Sequence, residues 1–133
     1  MYLGIDYGRK RIGMAIGSRF PKGIGTINNP DSFVILGEQV KNICQEYEVE
    51  KIIIGYPVPS SGEVGELGNE IINLKNCLEE VTKLEVLLEQ EAYTSVEAET
   101  ELKERGINIR QNKGSVDELA AIKILEQYID RNK

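Results

Sequence analysis

Three acidic residues in this sequence stand at positions where chemistry could need them. Asp6 lies in the otherwise small and apolar segment YLGIDY, Glu91 closes the segment LEVLLEQE, and Asp117 stands near the start of the last apolar-periodic segment. A buried carboxylate without a partner is costly, so Asp6 calls for a chemical reason. Glu91 could also be an ordinary solvated residue, and the dipole of a helix's first turn could favour Asp117. The residue types alone leave a three-carboxylate site and these structural roles both open.

The absence of histidine narrows the chemistry further, since the chain contains none. Ser-His-Asp and Cys-His catalysis, histidine acid–base chemistry and the usual zinc sites are all excluded. Cys44 and Cys77 stand at helical apolar positions without a C-x-x-C spacing, which predicts reduced core residues. Any catalysis must therefore use carboxylates, lysine, arginine, hydroxyl groups or hard metal ions.

The net charge of −6 argues, taken alone, against a nucleic-acid partner. Its distribution is uneven, because residues 1–23 carry five basic side chains and one acid, and residues 103–113 carry four and one. Residues 38–101 carry 15 acids and four lysines. Locally basic patches on an acidic body could contact phosphate, although basic residues scattered on turns for solubility would give the same count.

The first half of the chain predicts four strands and one helix. Alternating apolar residues indicate strands over residues 2–7 and 11–17, joined by a link short enough for a hairpin. A third strand is expected around residues 23–27, followed by a helix capped by Asp31 or Ser32. The apolar run KIIIGYP, residues 51–57, is typical of a strand buried on both faces of a parallel sheet.

The second half predicts one strand and three helices. Apolar spacing from Leu67 to Val81 indicates a helix, and KLEVLLEQE indicates a strand. A capping box over residues 94–97 predicts a third helix that Gly106 can end. A second capping box over residues 115–118 predicts the last helix, which would reach about residue 130 and place Asp117 in its first turn.

This order of elements predicts an α/β fold with a mixed five-stranded sheet flanked by helices. The first three strands form an antiparallel meander, and two parallel strands join it through crossover helices. No linker or repeat divides the chain, so residues 1–133 are expected to form one domain. No apolar run is long enough to span a membrane and no signal-peptide pattern is present, which predicts a cytoplasmic protein without a membrane partner.

Four segments in order resemble the motifs of the bacterial Holliday-junction-resolvase-like family, which is regarded as the pre-16S ribosomal RNA nuclease and has a ribonuclease-H-like fold. The segments are LGIDYGRKRIGMA, IIIGYP, TSVEAE and KGSVDELAAIKILEQYI, of which the first and last are specific. The resemblance runs over essentially the whole chain. It implies a nuclease that hydrolyses phosphodiester bonds in processing the 5′ end of pre-16S ribosomal RNA, with structured DNA as another substrate.

The resemblance assigns the family's acidic site to residues of this chain. The first-strand Asp corresponds to Asp6, the Glu of the motif D-E-R-L-T-T to Glu91, and the Asp of the motif V-D-x-x-A-A to Asp117. These three are the expected catalytic residues and metal ligands. Phosphates of the substrate are expected to contact Arg9, Lys10, Arg11, Lys113 and Thr94.

Two segments depart from the family's pattern. The chain reads QEAYTS where the family reads D-E-R-L-T-T, so that Gln90 replaces the Asp and Ala92 replaces the Arg. It also reads GYPVPSSGE where the family has G-L-P-x-N-M-D-G-T, so that the Asn and the Asp of this motif are missing. Because the three acids remain, these changes bear on rate and substrate choice more than on reaction class.

Phosphodiester hydrolysis by carboxylates requires hard metal ions, which the resemblance implies to be two Mg²⁺ or Mn²⁺ ions. Such ions prefer carboxylate oxygens. A pair of them can lower the pKa of an attacking water and stabilise the leaving oxygen of a phosphodiester. If Asp6 is a metal ligand, its place in a strand has a reason, because the rigid geometry of the sheet would hold the ion in a fixed position.

Other functions remain open at this point. The altered segments could mark a non-catalytic RNA-binding or regulatory member of the same fold, and a Holliday-junction resolvase is a further alternative. The segment GIDYGRKRIGMA also resembles the first phosphate motif of actin-like ATPases and sugar kinases. Those phosphotransferases close two lobes around a nucleotide and need a longer chain. A thermal shift with Mn²⁺ or with ATP would discriminate between these functions.

Overall fold

The computed structural model describes residues 1–57, 65–90, 104 and 113–132, with only the backbone described for 113–115. Within these residues the chain forms five strands and three helices. They are β1 (Tyr2–Tyr7), β2 (Arg11–Gly17), β3 (Lys22–Asn28), α1 (Phe33–Glu46), β4 (Lys51–Tyr56), α2 (Glu66–Thr82), β5 (Glu85–Gln90) and α3 (Lys113–Arg131).

The strands form one mixed sheet in the order β3-β2-β1-β4-β5. β1 pairs antiparallel with β2, and β2 pairs antiparallel with β3. β1 and β4, and then β4 and β5, pair in parallel. This is the predicted meander extended by two parallel strands, and the prediction of an α/β mixed sheet is confirmed. The carboxyl ends of β1, β4 and β5 consequently lie at the same edge of the sheet.

Local signals place several element ends. Ser32 is the N-cap of α1, and its Oγ accepts a hydrogen bond from the Ile35 amide at 3.3 Å, whereas Asp31 adopts a left-handed φ of 55° before it. At the C-terminal end of α2, Lys83 adopts the left-handed backbone conformation with which many helices end. Of the two residues that the sequence offered as a cap for α1, Ser32 is therefore the one used.

The last two predicted helices fare differently. The helix predicted from residue 94 to Gly106 falls almost wholly outside the described residues. The last helix begins at Lys113 and not at the capping box two residues later, so the prediction that Asp117 lies in its first turn is wrong. A capping box is a local signal, and neither Lys113 nor Gly114 prevents the helix from starting earlier.

Apolar residues cover both faces of the sheet. On one face Leu3, Ile5 and Ile54 pack with residues of α1 and α2 such as Leu36 and Leu74, all of which are buried. The other face packs against α3, where the buried cluster contains Ala15, Ile53, Ala121, Ile124 and Leu125. Alternate residues of a strand point to opposite faces, so each strand contributes to both layers.

Two further observations complete the description of the fold. Cys44 is buried in α1 and Cys77 is partly buried in α2, and both are free thiols as predicted. Over the described part of the chain, no helix is both long and apolar enough to cross a bilayer.

Candidate functional site

Asp6 lies near the carboxyl end of β1 and faces α3. It is half-buried rather than enclosed in the core, which corrects the expectation of a fully buried carboxylate. Its side chain points to the same face as Gly4, two residues earlier, because alternate strand residues share a face. A Cβ added to Gly4 would lie 2.5 Å from Leu125 Cγ, so this face is the one that α3 covers.

Gly13 fixes where α3 crosses the sheet. It is paired directly with Asp6 across the β1–β2 ladder, and directly opposed residues of an antiparallel pair share a face. A Cβ added to Gly13 would collide with the carbonyl group of Asp117. The backbone of Asp117 therefore rests on Gly13, in the position opposite Asp6. The structure brings these two of the three predicted acids to one face and one edge of the sheet.

Asp117 forms an ion pair with Arg11, the first residue of β2. The distance from Arg11 Nε to Asp117 Oδ2 is 2.9 Å, and both side chains are about one third exposed or less. A guanidinium group thus supplies positive charge to one of the predicted metal ligands. Asp6 and Asp117 offer carboxylate oxygens, the ligands that Mg²⁺ and Mn²⁺ prefer, and Asp117 already holds the cationic group of Arg11. The donor atoms of these two residues are therefore of the kind that suits a divalent ion.

The remaining predicted site residues are only partly covered by the structure. Glu91 and Thr94 lie outside the described residues, as does the side chain of Lys113. β5 can be followed to Gln90, at the edge of the sheet where β1 also ends. Among the residues that are described, no three acidic or cysteine side chains form a group that could hold a metal ion. The three-carboxylate site therefore stays a prediction, of which the structure describes two members.

Arg9 and Lys10 occupy the turn between β1 and β2. Arg9 Nη2 lies 3.5 Å from Glu66 Oε2, and its Nε lies 3.4 Å from Glu70 Oε1. Its guanidinium group therefore contacts the start of α2. Lys10 is exposed, and its carbonyl accepts a hydrogen bond from the Asn29 amide at 2.8 Å. The basic triplet thus divides, because Arg9 reaches α2, Lys10 faces solvent and Arg11 reaches α3.

Glu89 is a buried acid that the sequence did not single out. Only 1% of its side chain is exposed, and its Oε2 lies 2.7 Å from Arg131 Nη2. Burial raises the pKa of the Glu89 carboxyl, and the Arg131 charge opposes that rise. Near this pair the Nε2 group of Gln127 donates to the carbonyl of Gln90 at 2.5 Å. These contacts connect the end of α3 to the end of β5, which leads towards Glu91.

A cavity of about 320 Å³ lies on the other face of the sheet, beside the end of β1. No local pattern in the sequence predicts this cavity, since its walls come from three separate segments. The residues that line it are Tyr7, Arg9, Asn29, Asp31, Phe33 and Glu70. Burial, with the neighbouring Glu70 carboxylate adding to it, raises the pKa of the Tyr7 phenol although a hydrogen bond to Asn29 opposes the rise.

The fold defines the class of protein. The structure is similar to that of Thermus thermophilus RuvC, with a TM-score of 0.60 at 11% identity, over 98% of this chain and 96% of that chain. It is also similar to T. thermophilus RuvC in complex with a Holliday junction substrate, with a TM-score of 0.61 at 13% identity over 99% and 96% of the two chains. The fold is therefore ribonuclease-H-like, as the resemblance of the motifs implied.

Sequence comparison gives the family. Residues 1–131 match the RuvX family, described as Holliday junction resolvase, and the chain belongs to it. A relative from Chlamydia trachomatis serovar L2, strain 434/Bu, is 36% identical over 99% of this chain and 93% of its own length. One from Thermosynechococcus vestitus is 38% identical over 96% of this chain and 86% of its own length. Both carry the name "Putative pre-16S rRNA nuclease".

Proposed function

We propose that this chain is a metal-dependent nuclease that hydrolyses phosphodiester bonds in precursor 16S ribosomal RNA. The placement of Asp6 opposite Gly13, on which the backbone of Asp117 rests, at the sheet edge where parallel strands end, is the observation that carries the proposal. Ligands of open α/β sheets bind at that edge. The names of the relatives supply the class of substrate, since they denote nucleases of precursor 16S ribosomal RNA.

Asp6 and Asp117, together with Glu91, are the proposed catalytic residues and metal ligands. Two Mg²⁺ or Mn²⁺ ions held by these carboxylates would polarise the scissile phosphate and favour the deprotonated form of an attacking water. The protein's own contribution is to fix the carboxylates before substrate arrives. β1 fixes Asp6 through its ladder with β2, and Gly13 fixes the helix that carries Asp117.

The basic residues near this edge are the proposed contacts to substrate phosphates. Lys10 is exposed and can contact a phosphate of the nucleic-acid strand directly. Arg11 can do so by exchanging its ion pair with Asp117 for one with a phosphate oxygen. Contacts of this kind position a nucleic acid without reading its sequence. The complete proposed set is Arg9, Lys10, Arg11, Lys113 and Thr94.

We infer that residues 1–133 act as one nuclease domain, and that the protein acts in the cytoplasm, where ribosomal RNA is processed in bacteria. The family match over residues 1–131 and the contacts of α3 with four of the five strands support a single unit. Structured DNA is the second candidate substrate, because the family is described as Holliday junction resolvase. A four-way junction therefore belongs in any substrate panel.

A cleavage assay with Mg²⁺ or Mn²⁺ tests the proposal. The panel contains precursor-like RNA, single-stranded RNA, single-stranded DNA and a four-way DNA junction. We expect the wild-type chain to cut the precursor-like RNA, and Asp6→Asn to abolish cutting while RNA binding persists or tightens. Asp130→Asn makes the same chemical change at an exposed position of α3 and should cut at the wild-type rate.

Two outcomes would contradict the proposal. If Asp6→Asn cuts as fast as the wild-type chain, the carboxylate pair is not the catalytic site. If the wild-type chain binds the RNA but cuts none of the panel with either ion, the chain is a non-catalytic RNA-binding member of the family. Preferred cutting of the junction would keep the site and change the substrate.

A further inference from the structure

The cavity beside the end of β1 lies next to the candidate site. Tyr7 lines it and directly follows Asp6, so the two side chains point to opposite faces of the sheet from neighbouring positions. A strand of nucleic acid whose phosphate lies at Asp6 can therefore cross the edge of the sheet and place a nucleotide in the cavity. Its volume, about 320 Å³, is at the lower end for ligand pockets, which suits one heterocyclic ring system.

The charge of the cavity disfavours a phosphate group inside it. Asp31 and Glu70 contribute two carboxylates to the lining, and Arg9 contributes one positive charge. That positive charge already lies within 3.5 Å of the carboxylates of Glu66 and Glu70. A ligand that presents N–H donors fits this surface better than an anion, since the carboxylates can accept its hydrogen bonds.

The aromatic side chains of the cavity provide surfaces for stacking. The rings of Tyr7 and Phe33 have their centroids 6.4 Å apart at an interplanar angle of 61°. The planar guanidinium group of Arg9 stands at the same cavity. Unpaired bases are commonly recognised by stacking on aromatic rings or arginine planes, with hydrogen bonds to the base edge.

The polar groups of the cavity differ in how firmly they are held. Asn29 is fixed by hydrogen bonds to the backbone, whereas the contacts of Glu70 are long enough to be replaced by a ligand. Asn29 donates through Nδ2 to the carbonyl of Gly8 at 2.9 Å, and its Oδ1 accepts from the Asp31 amide at 2.8 Å. These contacts fix the turn. By contrast, the Glu70 carboxylate holds the Tyr7 hydroxyl at 3.3 Å and Arg9 Nε at 3.4 Å, distances longer than optimal. A better-placed donor can displace either contact.

We propose that this cavity binds one unpaired guanine base of the nucleic-acid strand that the Asp6 edge holds, an inference that rests on the proposed function. Guanine alone among the four RNA bases presents two adjacent N–H donors, at N1 and at the exocyclic N2, that a single carboxylate can accept together. Glu70 or Asp31 supplies that carboxylate, and Phe33 with Tyr7 supplies the stacking surface. The enzyme accordingly prefers a guanine close to its cleavage position.

Equilibrium binding of short RNA tests this proposal. The full-length Asp6→Asn chain is titrated with three fluorescein-labelled oligonucleotides, namely a hexauridine, the same strand with one central guanosine, and the same strand with inosine in its place. Inosine lacks only the N2 amino group. We expect the guanosine strand to bind about tenfold more tightly than hexauridine, and inosine to lose most of that gain.

Substitutions at the cavity identify the groups responsible. In the Asp6→Asn background, whichever of Glu70→Gln and Asp31→Asn removes the accepting carboxylate should reduce the preference for guanosine while hexauridine binding changes less than twofold. The Asp31→Asn chain should also fold normally, since asparagine tolerates the left-handed backbone conformation of residue 31. Glu80→Gln makes the same chemical change at an exposed position ten residues further along α2 and should keep the preference.

The outcomes distinguish failure of the guanine-cavity proposal from failure of the nuclease proposal. Equal affinity for all three strands overturns the guanine cavity but leaves the nuclease proposal intact. A guanosine preference that survives both cavity variants overturns the assignment to this cavity. If none of the strands and no precursor-like RNA binds, the proposed function fails and the cavity proposal fails with it.

Discussion

Arg11 donates its Nε–H to Asp117 Oδ2 over 2.9 Å, and this ion pair joins residues 106 positions apart in the chain. It connects the start of β2 to α3, whose backbone at Asp117 rests on Gly13, the residue paired with Asp6. The guanidinium group neutralises one proposed metal ligand, so a divalent ion that uses Asp117 has to compete with Arg11. The pair therefore couples metal binding to a residue that we also propose to contact phosphate.

Replacing Arg11 should strengthen metal binding and weaken substrate binding. Arg11→Gln removes the competing charge, so the Kd for Mn²⁺, measured by isothermal titration, should fall. The metal-free variant should lose about 1 kcal/mol or less of stability, because both partners are partly exposed. Lys10→Gln is the matched control, since it removes a positive charge from the adjacent turn without touching Asp117. Unchanged Mn²⁺ affinity in Arg11→Gln would mean that Asp117 is not a metal ligand.

A methyl group at Gly13 should displace α3 from the sheet. The added Cβ of Gly13→Ala would collide with the backbone of Asp117, which cannot move without the helix. We expect a loss of about 2 kcal/mol in the free energy of unfolding, together with loss of the stabilisation by Mn²⁺ that our proposal predicts for the wild-type chain. Gly65→Ala is the control, because a Cβ there meets no atom within 4 Å. If the Gly13→Ala chain were as stable as the wild-type chain and were stabilised equally by Mn²⁺, the close contact between Gly13 and the backbone of Asp117 would be contradicted.

Glu89 and Arg131 should show energetic coupling. Arg131→Gln leaves a buried carboxylate without its cation and should cost about 1 kcal/mol or more. Glu89→Gln removes the buried charge, so adding Arg131→Gln to it should cost almost nothing further. Urea denaturation of the two single variants and the double variant gives the coupling energy. Additive losses would show that the 2.7 Å contact contributes no stability.

The thiol of Cys44 should make stability fall at alkaline pH. Burial raises its pKa from 9.0 to about 11 in the folded chain. As pH rises above 9 the unfolded chain releases this proton first, so it binds fewer protons than the folded chain and stability decreases. Relative to Cys44→Ala, the wild-type chain should lose about 1 kcal/mol between pH 8 and pH 10.

The control for that titration is Val40→Ala, a truncation in the same helix that removes no ionisable group. Its difference from the wild-type chain should stay constant over the same pH range. The measurement is urea denaturation at each pH. A constant difference for Cys44→Ala as well would show that the thiol ionises equally in the folded and unfolded chains.

Local patterns in the sequence predicted the fold closely. Alternation in YLGIDY and the apolar run KIIIGY each predicted a strand that the structure contains, because these patterns follow directly from which faces are buried. The start of α3 was predicted two residues late, since a capping box describes a possible helix end and does not compete against tertiary packing. The order β3-β2-β1-β4-β5 was predicted only as far as the antiparallel meander of the first three strands, because local patterns do not show beside which strand a crossover places the next one.

The site was predictable only in its residue types. Asp6 and Asp117 were singled out as candidates, but the ion pair of Asp117 with Arg11 was not predicted, because nothing local to Arg11 indicates a partner 106 residues away. Glu89 was missed because β5 contains a second glutamate, Glu85, and nothing local shows which of the two is buried. The burial of Glu89 depends on α3, which supplies Arg131. The cavity was missed for the same reason, since Tyr7, Phe33 and Glu70 meet only in the folded chain.

The contact between Gly13 and Asp117 also has a consequence for the order of events during synthesis of the chain. Translation delivers β1 and β2 first and α3 last, and chains fold from the N-terminus as they emerge. The face of the hairpin that carries Asp6 stays uncovered until residues beyond 113 have been made. A nascent chain thus lacks the contact between Asp117 and Gly13, and under our proposal it cannot cut ribosomal RNA before α3 has been made.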